Sequence, residues 1–295
     1  MQSVCAFIFI LITQGNKIIR KVYCFALIHS PKMYSSSLKE LRFVRSVEIV
    51  PSRNQGLEEL AHSLDSLEGK ANALTSPENP RGSPGIDPII TLFFLSKDRN
   101  IIPIPHITPR DKNKVHIISQ INTANKFGIN NFFVIGGDPI NPKYESHEVR
   151  EIDPIDLIKL IKANSGSTVG AALNPYRNVE EEIAWAKKNA GADFFITQAI
   201  YSSDALSMDW LKKRNFKLIA GFLPLIRKNQ VEFSEKLGIF LPKVVKEKLL
   251  NSEDIRSTSV NIILNVFDEV KDFVDGIHIM PLGHNDIAAD ILGSI

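Results

Sequence analysis

From residue 43 onward, short apolar runs alternate with segments whose apolar residues recur every three or four positions. The runs at 43–50, 71–75, 101–107, 131–136, 168–173, 193–198, 217–223 and 276–281 read as strands. Several carry apolar side chains at consecutive positions, which suits parallel strands covered on both faces. The segments between them read as helices. Over 112–127, Val115, Ile118, Ile121, Ala124 and Phe127 define one buried face. Over 178–190, Val179, Ile183 and Ala186 face inward, and Asn178 with Glu181 has the spacing of a capping box. Over 257–273 the stripe is Val260, Ile263, Leu264, Phe267 and Val270. Strands alternating with helices imply βα units and a parallel sheet. Eight strands is the count that closes a (β/α)8 TIM barrel.

The chain has 295 residues, 44% hydrophobic and 23% charged. One barrel of this kind takes about 250 residues, and no linker or low-complexity tract divides the chain, so a single α/β domain is expected. Lys and Arg number 35 against 33 Asp and Glu. That balance leaves no basic stripe and no case for a nucleic-acid partner. Cys5 and Cys24 both lie near the N-terminus, so no disulfide framework or four-ligand zinc site is expected in the main domain. A reducing, cytoplasmic setting fits. No metal site is expected: His106 and His116 stand ten apart, with no carboxylate at ligand spacing. There is no G-x-G-x-x-G and no G-x-x-x-x-G-K-[ST], so any dinucleotide must be held by the barrel itself.

Residues 1–32 have a different character. Val4–Ile12 is apolar but too short to span a bilayer. No Lys or Arg precedes it, and Lys17, Arg20 and Lys21 follow it, the reverse of a signal peptide. A second apolar patch runs from Val22 to Ile28. The segment reads as a non-native or disordered extension ahead of a native start at Met33, as a short targeting or membrane segment, or as an added strand or helix. The first reading is the expectation, with the barrel over 33–295 and no membrane partner.

Candidate chemistry collects at the ends of the strands. Phe132–Pro139 is an apolar strand that stops on Gly136 and Gly137 and then presents Asp138. Glu48, His106 and Gln198 stand at or near the ends of three other strands. In a barrel all four converge on one rim, where such folds place their sites. Val44, Ser46, Glu48 and Val50 share one strand face. If that face lines the barrel, burial raises the Glu48 pKa and suits it to general-acid work; if the face is solvated, Glu48 is a surface charge. His106 reads equally as a satisfied rim histidine, and Gln198 as a strand-end hydrogen bonder. Ser76–Pro88, with four prolines and two glycines, reads as a loop at the mouth.

Four segments in this order resemble the methylenetetrahydrofolate reductase family over roughly residues 43–292: Val47-Glu48-Ile49-Val50-Pro51, Pro105-His106-Ile107-Thr108, Gly136-Gly137-Asp138-Pro139 and Ala190-Gly191-Ala192-Asp193-Phe194-Phe195-Ile196-Thr197-Gln198. The resemblance implies an α/β barrel that binds FAD at its mouth and uses NADH or NADPH to reduce 5,10-methylenetetrahydrofolate to the 5-methyl form, a step that serves methionine biosynthesis. It implies that Glu48 protonates the folate ring nitrogen and opens the bridging ring to an iminium cation. It gives Asp138 the place beside pterin and flavin, and Gln198 contact with folate and then nicotinamide, with ping-pong kinetics. Thr75, His106, Gly136, Gly137, Asp138, Tyr144, Glu180 and Lys187 fall at flavin-side positions, and Lys228 and His284 at the folate pocket. A cytoplasmic homo-oligomer is implied as well.

The sequence departs from the family at Gly136, where Arg is common, and at the short Leu173-Asn174-Pro175-Tyr176-Arg177 segment. It departs again near Lys228, where a stacking aromatic is expected, and at Leu282-Gly283-His284, where Leu-Asn-Arg is common. A flavin-free reductase of the same family therefore stays open. So do another one-carbon pterin enzyme on the same barrel and a non-catalytic folate- or flavin-binding barrel that acts in a complex.

Overall fold

The computed structural model describes residues 6–14, 17–25, 38–52, 54–234 and 238–295. Near the N-terminus, β1 (Ala6–Gln14) and β2 (Lys17–Phe25) pair antiparallel, with Ala6 opposite Phe25 and Phe9 opposite Val22. The expected start at Met33 falls outside the described residues.

Eight strands then close a barrel: β3 (Val44–Glu48), β4 (Ala73–Ser76), β5 (Ile102–Ile107), β6 (Asn131–Val134), β7 (Thr168–Leu173), β8 (Phe194–Ala199), β9 (Lys217–Phe222) and β10 (Gly276–Ile279). Every neighbouring pair is parallel, and β10 returns to β3, with Gly276 opposite Val44 and His278 opposite Ser46. The helices that cover it include α1 (Leu57–Ser63), α2 (Pro88–Ser96), α3 (Lys114–Lys126), α4 (Pro154–Asn164), α5 (Glu180–Asn189), α6 (Asp209–Lys212), α7 (Lys228–Ser234), α8 (Lys243–Leu250), α9 (Ile255–Val270) and α10 (Asn285–Gly293). The chain is a (β/α)8 barrel, and its strands fall within a few residues of the apolar runs that announce them.

The consecutive apolar positions have a direct physical cause. Val47, Leu74, Phe132, Val169, Phe195, Leu218 and Ile277 point outward into the layer between sheet and helices. Their neighbours Val44, Ala73, Ile104, Phe133, Phe194, Ile196 and Ile219 fill the barrel interior. Each strand therefore buries both faces. The interior is packed tightly enough to dictate one glycine. A Cβ on Gly170 would sit 2.2 Å from the Phe194 ring, so β7 gives up a side chain to let Phe194 in. Phe194 in turn stacks on Phe133, with ring centroids 6.3 Å apart.

Two helices differ from the periodicity reading. In α3 the buried residues are Ile117, Ile121 and Ala124, while Val115 is 78% exposed. The Asn113 side chain caps the helix by accepting from the His116 amide, and Val115 lies in the capped first turn with its side chain in solvent. In α5 there is no capping box. Val179 is the N-cap, exposed and without a side-chain bond, and the buried residues are Glu180 and Ala184. Glu180 turns inward because its Oε1 accepts from the Asn174 amide at 2.8 Å. In α9 the expected stripe holds at Ile263, Phe267 and Val270 and widens to Ile262 and Val266. No helix among the described residues is long and apolar enough to cross a membrane.

The Gly170–Phe194 fit makes a stability prediction. Gly170→Ala overpacks the interior and is expected to cost about 1–3 kcal/mol in urea unfolding. Adding Phe194→Leu should recover part of that loss. Wild-type stability for Gly170→Ala alone would contradict the packing.

Candidate active site at the barrel mouth

The C-terminal ends of the strands open into a cavity of about 1340 Å³. Its wall includes Glu48 from β3, His106 from β5, Gln198 from β8 and His278 from β10, with Gly136, Gly137 and Asp138 from the loop after β6. Glu180 and Lys187 on α5 also line it. Thr75 and Tyr144 do not line this cavity, and neither do Lys228 or His284. Thr75 lies beside Glu48 in the sheet, fully buried. Tyr144 ends a short turn beyond Asp138, with the Lys143 ammonium over its ring. Lys228 is exposed at the start of α7, and His284 is the N-cap of α10.

Glu48 is on the inward face of β3, above Val44 and Ser46. Its side chain keeps 15% exposure. Burial, with the negative charge of Asp138 adding to it, pushes the carboxyl up to about 7. A proton therefore resides on Glu48 through much of the neutral range. His106 Nε2 lies 4.0 Å from Glu48 Oε2. That spacing suggests an ion pair, but the buried imidazole is pushed down to about 3, so at neutral pH the contact joins a neutral ring to a carboxyl near its midpoint. Among the described residues His106 Nε2 has no hydrogen-bond partner. Its ring rests on Phe133 with centroids 4.9 Å apart.

His278 escapes a reading based on motifs. It is buried, its Nδ1 lies 2.9 Å from Ser46 Oγ, and burial pushes it down to about 3. The available signal is its inward position between Gly276 and Met280 on an alternating strand. Glu78 is the second such residue. Its carboxylate takes the Lys112 ammonium at 2.6 and 2.7 Å and the Thr108 amide at 2.8 Å, and it forms part of the cavity wall. Burial pulls the Lys112 ammonium down, and Glu78 opposes that shift.

Asp138 is held by the loop after β4: its Oδ2 accepts from the Arg81 amide at 2.8 Å. Gly137 before it has φ +76°, and a Cβ there would meet Thr108 Oγ1 at 2.6 Å. The backbone crosses so close to the β5 loop that only glycine fits. Next to it, at the end of β7, Lys187 Nζ donates to the Ala172 carbonyl at 2.5 Å, and Arg177 lies 3.2 Å from Glu180 Oε2. Burial pulls the Lys187 ammonium down, with Glu180 opposing. These side chains give the mouth carboxyls from the end of β3 and from the loop after β6, and cations beside β7.

Comparison with known proteins matches this architecture. A solved barrel from Clostridium thermocellum, described as an uncharacterized protein that binds two copies of 5-methyl-5,6,7,8-tetrahydrofolic acid, superposes with a TM-score of 0.65 over 88% of this chain and 98% of its own, at 18% identity. Methylenetetrahydrofolate reductase 2 of Schizosaccharomyces pombe is 23% identical over 259 residues, 77% of this chain; the match spans 40% of that relative's length. The family model described as Methylenetetrahydrofolate reductase matches residues 34–295. The chain belongs to the methylenetetrahydrofolate reductase family.

Proposed function

We propose that the barrel mouth reduces 5,10-methylenetetrahydrofolate, or a close pterin analogue, to its 5-methyl form, with NADH or NADPH as the source of hydride. The observation that carries this reading is Glu48: a carboxyl raised to about 7 by burial, at the position of the family's acid. Proton transfer from Glu48 to the bridging ring nitrogen breaks a C–N bond and leaves an iminium cation. Hydride addition to that carbon forms the methyl group, and the nicotinamide is oxidised. Asp138 adjoins the same cavity, and its negative charge stabilises the cation as it forms. The same charge raises Glu48, so two carboxyl groups in one mouth take different roles. Gln198 offers an amide to the pterin. His106 and His278, both neutral at physiological pH, add polar ring edges without opposing that cation. The related barrel of known structure binds 5-methyl-5,6,7,8-tetrahydrofolic acid, the form proposed as product here.

The mouth fits FAD. The cavity exceeds the roughly 300–1,000 Å³ of an ordinary ligand pocket. Lys187 and Arg177 would hold a diphosphate, Gly136 offers backbone unshielded by a side chain, and His106 Nε2 is a buried ring nitrogen in need of a partner. When bound, the flavin supplies a two-electron relay between nicotinamide and folate. A flavin-free reductase is favoured by one specific placement: Thr75 and Tyr144, both flavin-side positions by resemblance, lie outside the cavity wall. The absorption spectrum of the purified protein separates the two. Flavin bands near roughly 450 nm that bleach with anaerobic NADH support the relay. A colourless protein that still turns over folate supports direct transfer.

Glu48→Gln removes the transferable proton and keeps the side chain's shape. Folate reduction is expected to fall by about 10²–10⁴-fold, while nicotinamide oxidation by any bound flavin is spared. Survival of folate reduction would contradict the role of Glu48. The acid is competent while protonated, so folate reduction should decline as pH rises through about 7. Steady-state rates across pH 5.5–8.5, a range chosen to bracket that midpoint, check this limb.

A further inference from the structure

We propose that Arg110 is a positioning residue that holds Asp138 at the barrel mouth. The inference rests on the reductase reading above. Arg110 follows β5, two residues past Thr108, and is 1% exposed. Its Nε and Nη2 donate to the Asp111 carboxylate at 2.6 and 2.5 Å. Its Nη1 donates to the backbone carbonyl of Asp138, and Nη2 reaches the Asn79 carbonyl at 3.4 Å. Its own carbonyl accepts from the Val149 and Arg150 amides at 2.8 and 3.2 Å. One buried residue thus ties together the loops after β4, β5 and β6.

The path of the chain shows how closely these loops depend on it. The space a Cβ would need on Gly137 is taken by Thr108 Oγ1 and, at 3.2 Å, by Arg110 Cβ. The Asp138 loop therefore lies directly on the Arg110 side chain. From the other side, the Arg81 amide binds Asp138 Oδ2, and a Cβ on Gly82 would fall 1.9 Å from the Pro139 carbonyl oxygen. Asp138 is clamped between the two loops, and the guanidinium bonds a backbone carbonyl in each: that of Asp138 in one and that of Asn79 in the other. A buried cation carries a desolvation cost that an apolar filler would avoid. Here its planar fork does what a filler cannot: it addresses a carboxylate and two backbone carbonyls at once. A lysine keeps the charge and loses the fork.

If Arg110 acts through Asp138, disturbing it should change what Asp138 does to Glu48. The titratable and charged groups that share the mouth with Glu48 are Glu78, Arg81, His106, Asp138, Lys143, Asp153, Arg177, Glu180, Lys187 and His278, and of these it is the Asp138 charge that adds to burial in raising Glu48. Both histidines are neutral throughout the range of interest. Around Arg110 the charged groups are Asp111, Asp138, Glu148 and Arg150. Moving the Asp138 charge away relieves the repulsion that raises Glu48, so the pH limb of folate reduction should move to lower pH.

The test is a double-mutant cycle on the full chain: wild type, Arg110→Lys, Asp138→Asn and the pair, each assayed for reduction of methylenetetrahydrofolate across pH, with circular dichroism as a check on folding. Arg110→Lys is expected to lower kcat/KM by about 10–100-fold, the scale of a misplaced catalytic group. That loss should largely vanish in the Asp138→Asn background. The pH limb of Arg110→Lys should shift down, in the same direction as that of Asp138→Asn. Equal losses in both backgrounds, with an unmoved limb, would overturn the proposal and make Arg110 a structural brace. Should Arg110→Lys fail to fold, Asp111→Asn, which removes the charge and one of the two acceptors the fork addresses and leaves Arg110 in place, is expected to show the same coupling to Asp138 at smaller size. Additivity there overturns the proposal equally. A wild-type chain that does not reduce folate refutes the reductase reading itself, and the inference with it; an active wild type with additive variants refutes the inference alone.

Discussion

Closing eight parallel strands into a barrel forces the end of β3 to withdraw a carboxyl from water. The inward face of that strand runs Val44, Ser46, Glu48, and the same register that seats Val44 among Ile104, Phe194 and Ile219 carries Glu48 to the wall of the mouth. Burial raises its pKa, and the Asp138 charge raises it further. The proposed chemistry depends on this constraint, because a carboxyl with an ordinary pKa would have lost its proton at neutral pH. The neutral state of His106 and His278 has the same origin: burial in this wall disfavours a charged imidazole, and for His106 a charge on His278 would oppose it as well.

The barrel was legible because its cause is written at every strand. Burial on both faces demands consecutive apolar residues, and eight such runs can be counted from the chain alone. Alternation put Val44, Ser46 and Glu48 on one face, and the closed barrel decides that this face is the inward one. The helices were less legible, since a stripe of period 3.6 can be placed one residue off without violating the pattern. Val115 and Val179 are apolar residues that a cap and a buried glutamate leave facing solvent. Propensity describes a helix, whereas the Asn174 amide decides which way Glu180 turns.

Of the residues singled out in the sequence, Glu48, His106 and Gln198 on the strands and Gly136, Gly137 and Asp138 just beyond β6 reach the cavity wall, whereas Thr75, Tyr144, Lys228 and His284 do not. Glu48, His106 and Gln198 are placed by the sheet, whose geometry repeats. Lys228 and His284 lie where loops end, and their distance from the cavity wall is set by chain paths that no periodicity encodes. Arg110 and Glu78 escaped for the same reason. Their partners stand about thirty residues away in sequence, at Asp138, Asn79, Thr108 and Lys112, and become neighbours only when three loops interlock. The two glycines before Asp138 suit a tight turn or a close approach to a ligand, and what Gly137 approaches is the β5 loop at Thr108 and Arg110.

The most direct test of this account is the titration of Glu48 itself, by difference infrared spectroscopy of the carboxyl C=O stretch, with Glu48→Gln to assign the band. A protonated carboxyl that disappears with a midpoint near 7 is the result the buried mouth predicts. A midpoint in the ordinary glutamate range, about 4–5, would show Glu48 to be solvated and would contradict its role as the acid.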